Sequence, residues 1–121
     1  MAVGSDETRK IRVFEYAADA PVLRTVQNAV DALGEAMAAS ATLVILPVDR
    51  LDPAFFDLRT GLAGEILQKF VNYRLKVAIL GDYSELASQS IPLRDFIRES
   101  NCGRSIWFVA DRKELEQRLG E

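Results

Sequence analysis

Three short, unbroken apolar runs limit what this chain can fold into. They are TLVILP at residues 42–47, KVAILG at 76–81 and SIWFVA at 105–110. Each is too short for a typical helix and lacks the alternation of a strand with one wet face, so each reads as a strand covered on both faces. IRVFEYA at 11–17, rich in β-branched and aromatic residues, reads as an earlier first strand. Helical patterns separate these runs. Residues 22–39 place Val26, Val30, Leu33 and Met37 at helical spacing with Ala29 and Ala36 beside them, and Asp19 and Pro21 offer a cap and a first turn. Residues 58–72 carry two apolar rows, one of Leu62, Ile66 and Phe70 and one of Ala63, Leu67 and Val71. Residues 92–100 follow Ser90 and put Leu93, Phe96 and Ile97 on one face, with Gly103 as a stop. Asp111 and Glu114 have capping-box spacing, with Leu115 and Leu119 facing inward behind them.

Strand followed by helix, four times over, implies parallel strands joined by right-handed crossovers. The expected fold is a single α/β domain spanning residues 1–121. It has a four- to five-stranded, mainly parallel or mixed sheet, about four helices, and a polar, mobile lead-in at residues 1–10. Val44, Ile45, Val77, Ile79, Trp107 and Val109 are the expected buried strand residues.

The composition narrows the function classes. With 121 residues, 49% of them apolar and 27% charged, the chain is an ordinary globular domain able to bury a core. Its net charge of −3 and scattered basic residues argue against nucleic acid as a partner. It contains no histidine, which removes histidine triads, histidine general bases and histidine-ligated zinc. Its single cysteine, Cys102, leaves no intrachain disulfide and follows a helix end rather than opening one, so it reads as structural or incidental. The start lacks an apolar signal core and no run approaches a membrane span, so the expectation is a cytoplasmic protein with no membrane partner.

The densest chemistry lies in residues 55–82, FFDLRTGLAGEILQKFVNYRLKVAILGD. In open α/β sheets, ligands gather outside the carboxyl ends of the strands. The loop after the second strand brings Asp57, Arg59 and Thr60 there, ahead of Gly61 and Gly64. Asp82, Tyr83 and Ser84 follow the third strand, and Asp111 follows the fourth. Thr60 opens a helix, where free N–H groups favour an anion, so it reads as a phosphate site or a phosphorylatable hydroxyl. The plainer alternative is that Asp57 or Thr60 only caps the helix. Asp57, Asp82 and Asp111, from three strand ends, can in principle share a Mg²⁺, or each can simply complement a helix dipole. No glycine-rich nucleotide loop is present, and the expected site has no cofactor, no metal and no catalytic residue.

These residues, together with LRDFIRESN, resemble a bacterial family known only as a domain of unknown function, number 4180, over about residues 42–109. More distantly, the strand–helix order and the Asp-to-Gly-Leu stretch resemble the sulfate-transporter and anti-sigma-factor-antagonist (STAS) domain. That resemblance implies a sheet with helices mainly on one side and a cytoplasmic switch protein that binds a kinase or an anti-sigma factor. It implies a phosphorylated hydroxyl at Thr60, ahead of Gly61 and Leu62. Asp57 stands further from the hydroxyl than in that family's pattern, and Arg59 lies between them. The expectation is thus a regulatory interaction module rather than an enzyme. Asp57, Arg59, Thr60, Gly61 and Gly64 form its contact surface, its partner is a kinase or sigma-factor regulator, and a homodimer is compatible. The alternative is a small-molecule-binding protein or Mg-dependent enzyme working along the edge of Asp82, Tyr83, Ser84 and Asp111 together with Asp57.

Overall fold

The computed structural model describes residues 11–120, so the expected lead-in at residues 1–10 lies outside the described residues. Four strands, β1 (Val13–Glu15), β2 (Leu43–Pro47), β3 (Lys76–Leu80) and β4 (Ile106–Val109), form one sheet in the order β1-β2-β3-β4. All neighbouring pairs are parallel, with Val44 opposite Val77 and Ile79 opposite Phe108. Among the described residues six α-helices accompany them: α1 (Val26–Ala38), α2 (Pro53–Phe56), α3 (Leu62–Asn72), α4 (Ser84–Ser88), α5 (Ile91–Cys102) and α6 (Arg112–Leu119). The α/β class and the parallel sheet are as the apolar runs require.

Strand order follows chain order, so each crossover steps the same way and right-handed connections place the crossover helices on one face. The larger core cluster has that composition. It joins Ala29, Leu33 and Ala36 of α1, Ile66, Leu67 and Phe70 of α3, and Leu93 and Ile97 of α5 to Val44, Leu46, Val77, Ile79 and Phe108. Leu43, Ile45, Ala78, Trp107 and Val109 point to the opposite face, where Leu115 and Leu119 of α6 pack on them. Arg112 at the start of α6 reaches Glu15 on β1, so this helix bridges the sheet from its last strand to its first. The six expected strand residues are all buried, and the unbroken apolar runs follow from covers on both faces.

Several local expectations are revised. Helix α1 begins later than expected and is capped by Thr25, not Asp19. The Thr25 hydroxyl accepts from the Asn28 N–H, and the Asn28 side chain accepts from the Thr25 N–H, closing a capping box. Its buried face is also rotated. Ala29, Ala32, Leu33 and Ala36 face inward, whereas Val30 and Met37 are exposed. Small alanines let α1 lie close against α3 and the sheet, and that contact outweighs the larger side chains in choosing the face. Residues 22–25 are not helical; Leu23 is fully buried and bridges to Leu51.

The expected helix at 58–72 is split. A 3₁₀ turn, Leu58–Thr60, precedes α3, and Gly61 between them has φ of 76°, a left-handed conformation that a side chain disfavours. Before that turn, Asp52 caps α2 through the Ala54 N–H and buries Phe55 and Phe56. Both α1 and α3 end in Schellman motifs with non-glycine residues in the left-handed position. At α3 the Arg74 N–H donates to Val71 and the Leu75 N–H to Phe70, with Arg74 at φ 63°.

Candidate functional site

The site residues read from the loops all lie at the carboxyl edge of the sheet, as the strand order requires. Asp57 accepts from the Arg59 backbone N–H at 3.1 Å and, through both oxygens, from the Arg59 guanidinium at 3.0 Å each. This fork is a strong geometry in an exposed place, so it sets local shape more than global stability. The guanidinium hydrogen bond holds the Asp57 carboxyl below its ordinary value of 3.8 and lifts Arg59 further. A depressed carboxylate stabilises the fold above its unfolded pKa, and that contribution is lost as pH falls through the folded value. An NMR titration of Asp57 is therefore expected to give a midpoint below 3.8, and Arg59→Gln to return it upward.

Thr60 is exposed. Its hydroxyl has one proton and two carbonyls in reach, Ala54 at 2.7 Å and Asp57 at 2.8 Å, and it accepts from the Leu62 N–H at 3.2 Å. Thr60 therefore satisfies one of the unpaired N–H groups that open α3, the capping part of its expected role. Gly61 sets the turn between hydroxyl and helix. Gly64 is exposed on α3, and a Cβ there would meet nothing within 4 Å, so no neighbour makes a close approach to it.

The remaining edge residues are engaged locally. Asp82 accepts from the Ser84 hydroxyl at 2.6 Å and from its N–H at 2.9 Å, and these bonds lower its pKa. The Tyr83 ring packs edge-on against Phe108, and its hydroxyl donates to the Phe108 carbonyl at 3.3 Å. Burial, with Glu114 adding to it, pushes the Tyr83 phenol above its ordinary value. Asp111 caps α6 through the Glu114 N–H at 2.8 Å. Among the described residues no group of three acidic, cysteine or histidine side chains is placed to hold a metal ion. Asp57, Asp82 and Asp111 thus fit the local capping and pairing reading weighed against a shared Mg²⁺.

The structure adds residues that loop reading did not select. A cleft of about 450 Å³ opens between the segment before α3 and the one after β3. Asp57 and Arg59 line one side with Phe56, and Leu86, Ser90 and Leu93 line the other. The sequence signal for the second side was weak. YSELASQSIP mixes loop signals; Ser90 was legible as an opener of α5 and does cap it, but only the structure shows that the segment also forms α4.

No curated protein and no solved structure matches the chain, so the family rests on the sequence of this fold and its edge loops. The family model that matches takes in every strand, every helix and every residue of the edge just described. Over residues 8–119 the chain belongs to the family described as Domain of unknown function (DUF4180).

Proposed function

We propose that this domain is a cytoplasmic regulatory module of the STAS-like kind. It docks a protein partner, a kinase or sigma-factor regulator, at the start of α3, and Thr60 is its switch hydroxyl. The observation that carries this reading is the exposure of Thr60 on the turn before Gly61 and Leu62, next to Arg59, which lines a cleft together with Asp57, Phe56, Leu86 and Leu93. A phosphate on Thr60 would add about −1.5 to −2 charges. The N-terminus of α3 favours that charge by roughly 0.3–1 kcal/mol. The Arg59 guanidinium, 91% exposed and forked onto Asp57, is free to exchange one oxyanion for another. Modification would then redraw the lip of the cleft that a partner reads while leaving the core untouched.

Thr60→Glu is expected to change stability by no more than about 1 kcal/mol and to weaken partner binding. Thr60→Ala removes a capping hydroxyl, a loss of about 0.5–2 kcal/mol, and should still bind but not switch. Mass spectrometry of the native protein for phosphate on Thr60, with pull-downs by both variants compared with wild type, tests the reading. Equal recovery of the same partner by Thr60→Glu and wild type would remove Thr60 as a switch and leave it a helix cap.

A further inference from the structure

The opposite, amino edge of the sheet holds a second cavity, of about 610 Å³, where β3 and β4 begin and α5 and α6 end. Lys76, Arg104 and Arg118 line it, and among the described residues no carboxylate does. Elsewhere Arg24, Arg59, Arg98 and Arg112 each pair with an acid, while Arg12, Arg50, Lys69, Arg74, Arg94 and Lys113 have none among the described residues but are not gathered around one cavity. Among the described residues these three cations have no such partner, although like charges gathered in one place oppose one another unless an anion joins them.

Trp107 holds two of them in position. Its indole N–H donates to the Gly103 carbonyl at 3.0 Å, which fixes the ring. The Lys76 ammonium lies 5.7 Å and the Arg118 guanidinium 4.8 Å from the ring centre, within cation–π reach. One Arg118 terminal nitrogen donates to the Asn101 carbonyl at 2.7 Å, while its Nε is buried and has no partner among the described residues. The Asn101 side chain is itself occupied by the backbone of Phe108 and does not compete.

We propose that this cavity is an anion site for a small phosphorylated organic molecule. The Arg104 guanidinium offers a planar fork to phosphate oxygens, Arg118 adds the terminal N–H groups that Asn101 leaves free, and the Lys76 ammonium adds a point charge, a set suited to a dianion. The volume falls within the range of small-molecule pockets, about 300–1,000 Å³. A local cluster of three cations in a chain of net charge −3 suits a compact anion, whereas a nucleic-acid strand needs a basic track. The site stands apart from the Thr60 surface and does not depend on its role.

Trp107 is the only tryptophan and lines this cavity, so an anion bound there should change its emission. Pyrophosphate titrated into the full chain at low ionic strength should shift that emission saturably and raise the melting temperature, while chloride at matched ionic strength should not. Lys76→Gln/Arg104→Gln changes two exposed side chains and should weaken binding by at least about tenfold, as loss of charge-assisted bonds implies. Arg94→Gln, on the outer face of α5, should bind as wild type does. Circular dichroism checks that the double variant folds, and Arg104→Gln alone carries the same comparison if it does not. The proposal is overturned by the absence of a saturable shift or by equal affinity in the cavity variants. It is also overturned if pyrophosphate binds only after the acids outside the described residues are neutralised, as Asp6→Asn/Glu7→Gln/Glu121→Gln, because the chain would then supply its own anion.

Discussion

Phe70→Ala is expected to lower the unfolding free energy by about 3–5 kcal/mol, the cost of truncating a buried aromatic side chain and leaving a cavity. Phe70 is fully buried, within the cluster that joins α1, α3 and the sheet. Its neighbours Ile66 and Leu67 are held by strands on one side and by alanines of α1 on the other, so they have little freedom to collapse into the gap. Small domains are commonly stable by about 5–15 kcal/mol, so this one change would remove a large share. Urea unfolding should show a lower midpoint with a similar slope. A loss below about 1 kcal/mol would mean that α3 is not the central packing element. The effect should reach both edges of the molecule, because α3 begins beside Thr60 and its end leads through Leu75 into Lys76.

The second large effect is expected at Asn101, in the last turn of α5. Its side-chain oxygen accepts from the Phe108 N–H at 2.7 Å, and its amide donates to the Phe108 carbonyl at 3.3 Å. Strand β4 lies at the border of the sheet, so Phe108 has no further strand to bond. Asn101 stands in for that missing strand over one residue, which also shields the border from pairing with another chain. Asn101→Ala should cost about 1–3 kcal/mol, because a partly buried N–H loses its acceptor. Asn101→Asp keeps the acceptor but sets a carboxylate against a carbonyl, and its loss should also be measurable. Amide hydrogen exchange at Phe108 gives the direct readout. Faster exchange there, with β2 and β3 unchanged, is the expected pattern; unchanged protection at Phe108 would rule the bond out as a stabiliser.

What the sequence made legible was set by burial. The runs at 42–47, 76–81 and 105–110 had no polar interruption because both faces of β2, β3 and β4 are covered, and that pattern is local. The facing of α1 was not legible. Val30 and Met37 carry more apolar surface than Ala29 and Ala36, and only the closeness of α3 makes small side chains the better fit. The ends of α1 and α3 were legible to within a residue, but not the left-handed conformations, usually marked by glycine, that Ser40 and Arg74 hold just beyond them. At the carboxyl edge, the strand order alone placed Asp57, Thr60, Asp82 and Asp111. The orientation of their side chains was beyond the sequence, because Arg59 onto Asp57 and Ser84 onto Asp82 depend on short-range turn geometry. The cation cavity was hidden for a different reason. Lys76, Arg104 and Arg118 come from three separated segments and no spacing rule links them.

The order β1-β2-β3-β4 has a consequence for how the chain reaches this structure. No strand waits for a partner from the far end of the sequence, since each completes its ladder with the strand just before it. Loop closure between consecutive units carries little entropy, and topologies rich in nearby contacts fold fast. The sheet can therefore grow as a zipper from the β2–β3 pair outward. Helix α6 is the exception. Its Arg112 meets Glu15 across 97 residues of chain, a contact that forms only when both ends of the ladder are in place. That closure acts as a latch on a structure otherwise assembled from neighbours. Opening it would let β1, with only three paired residues, peel away while the middle of the sheet stays intact.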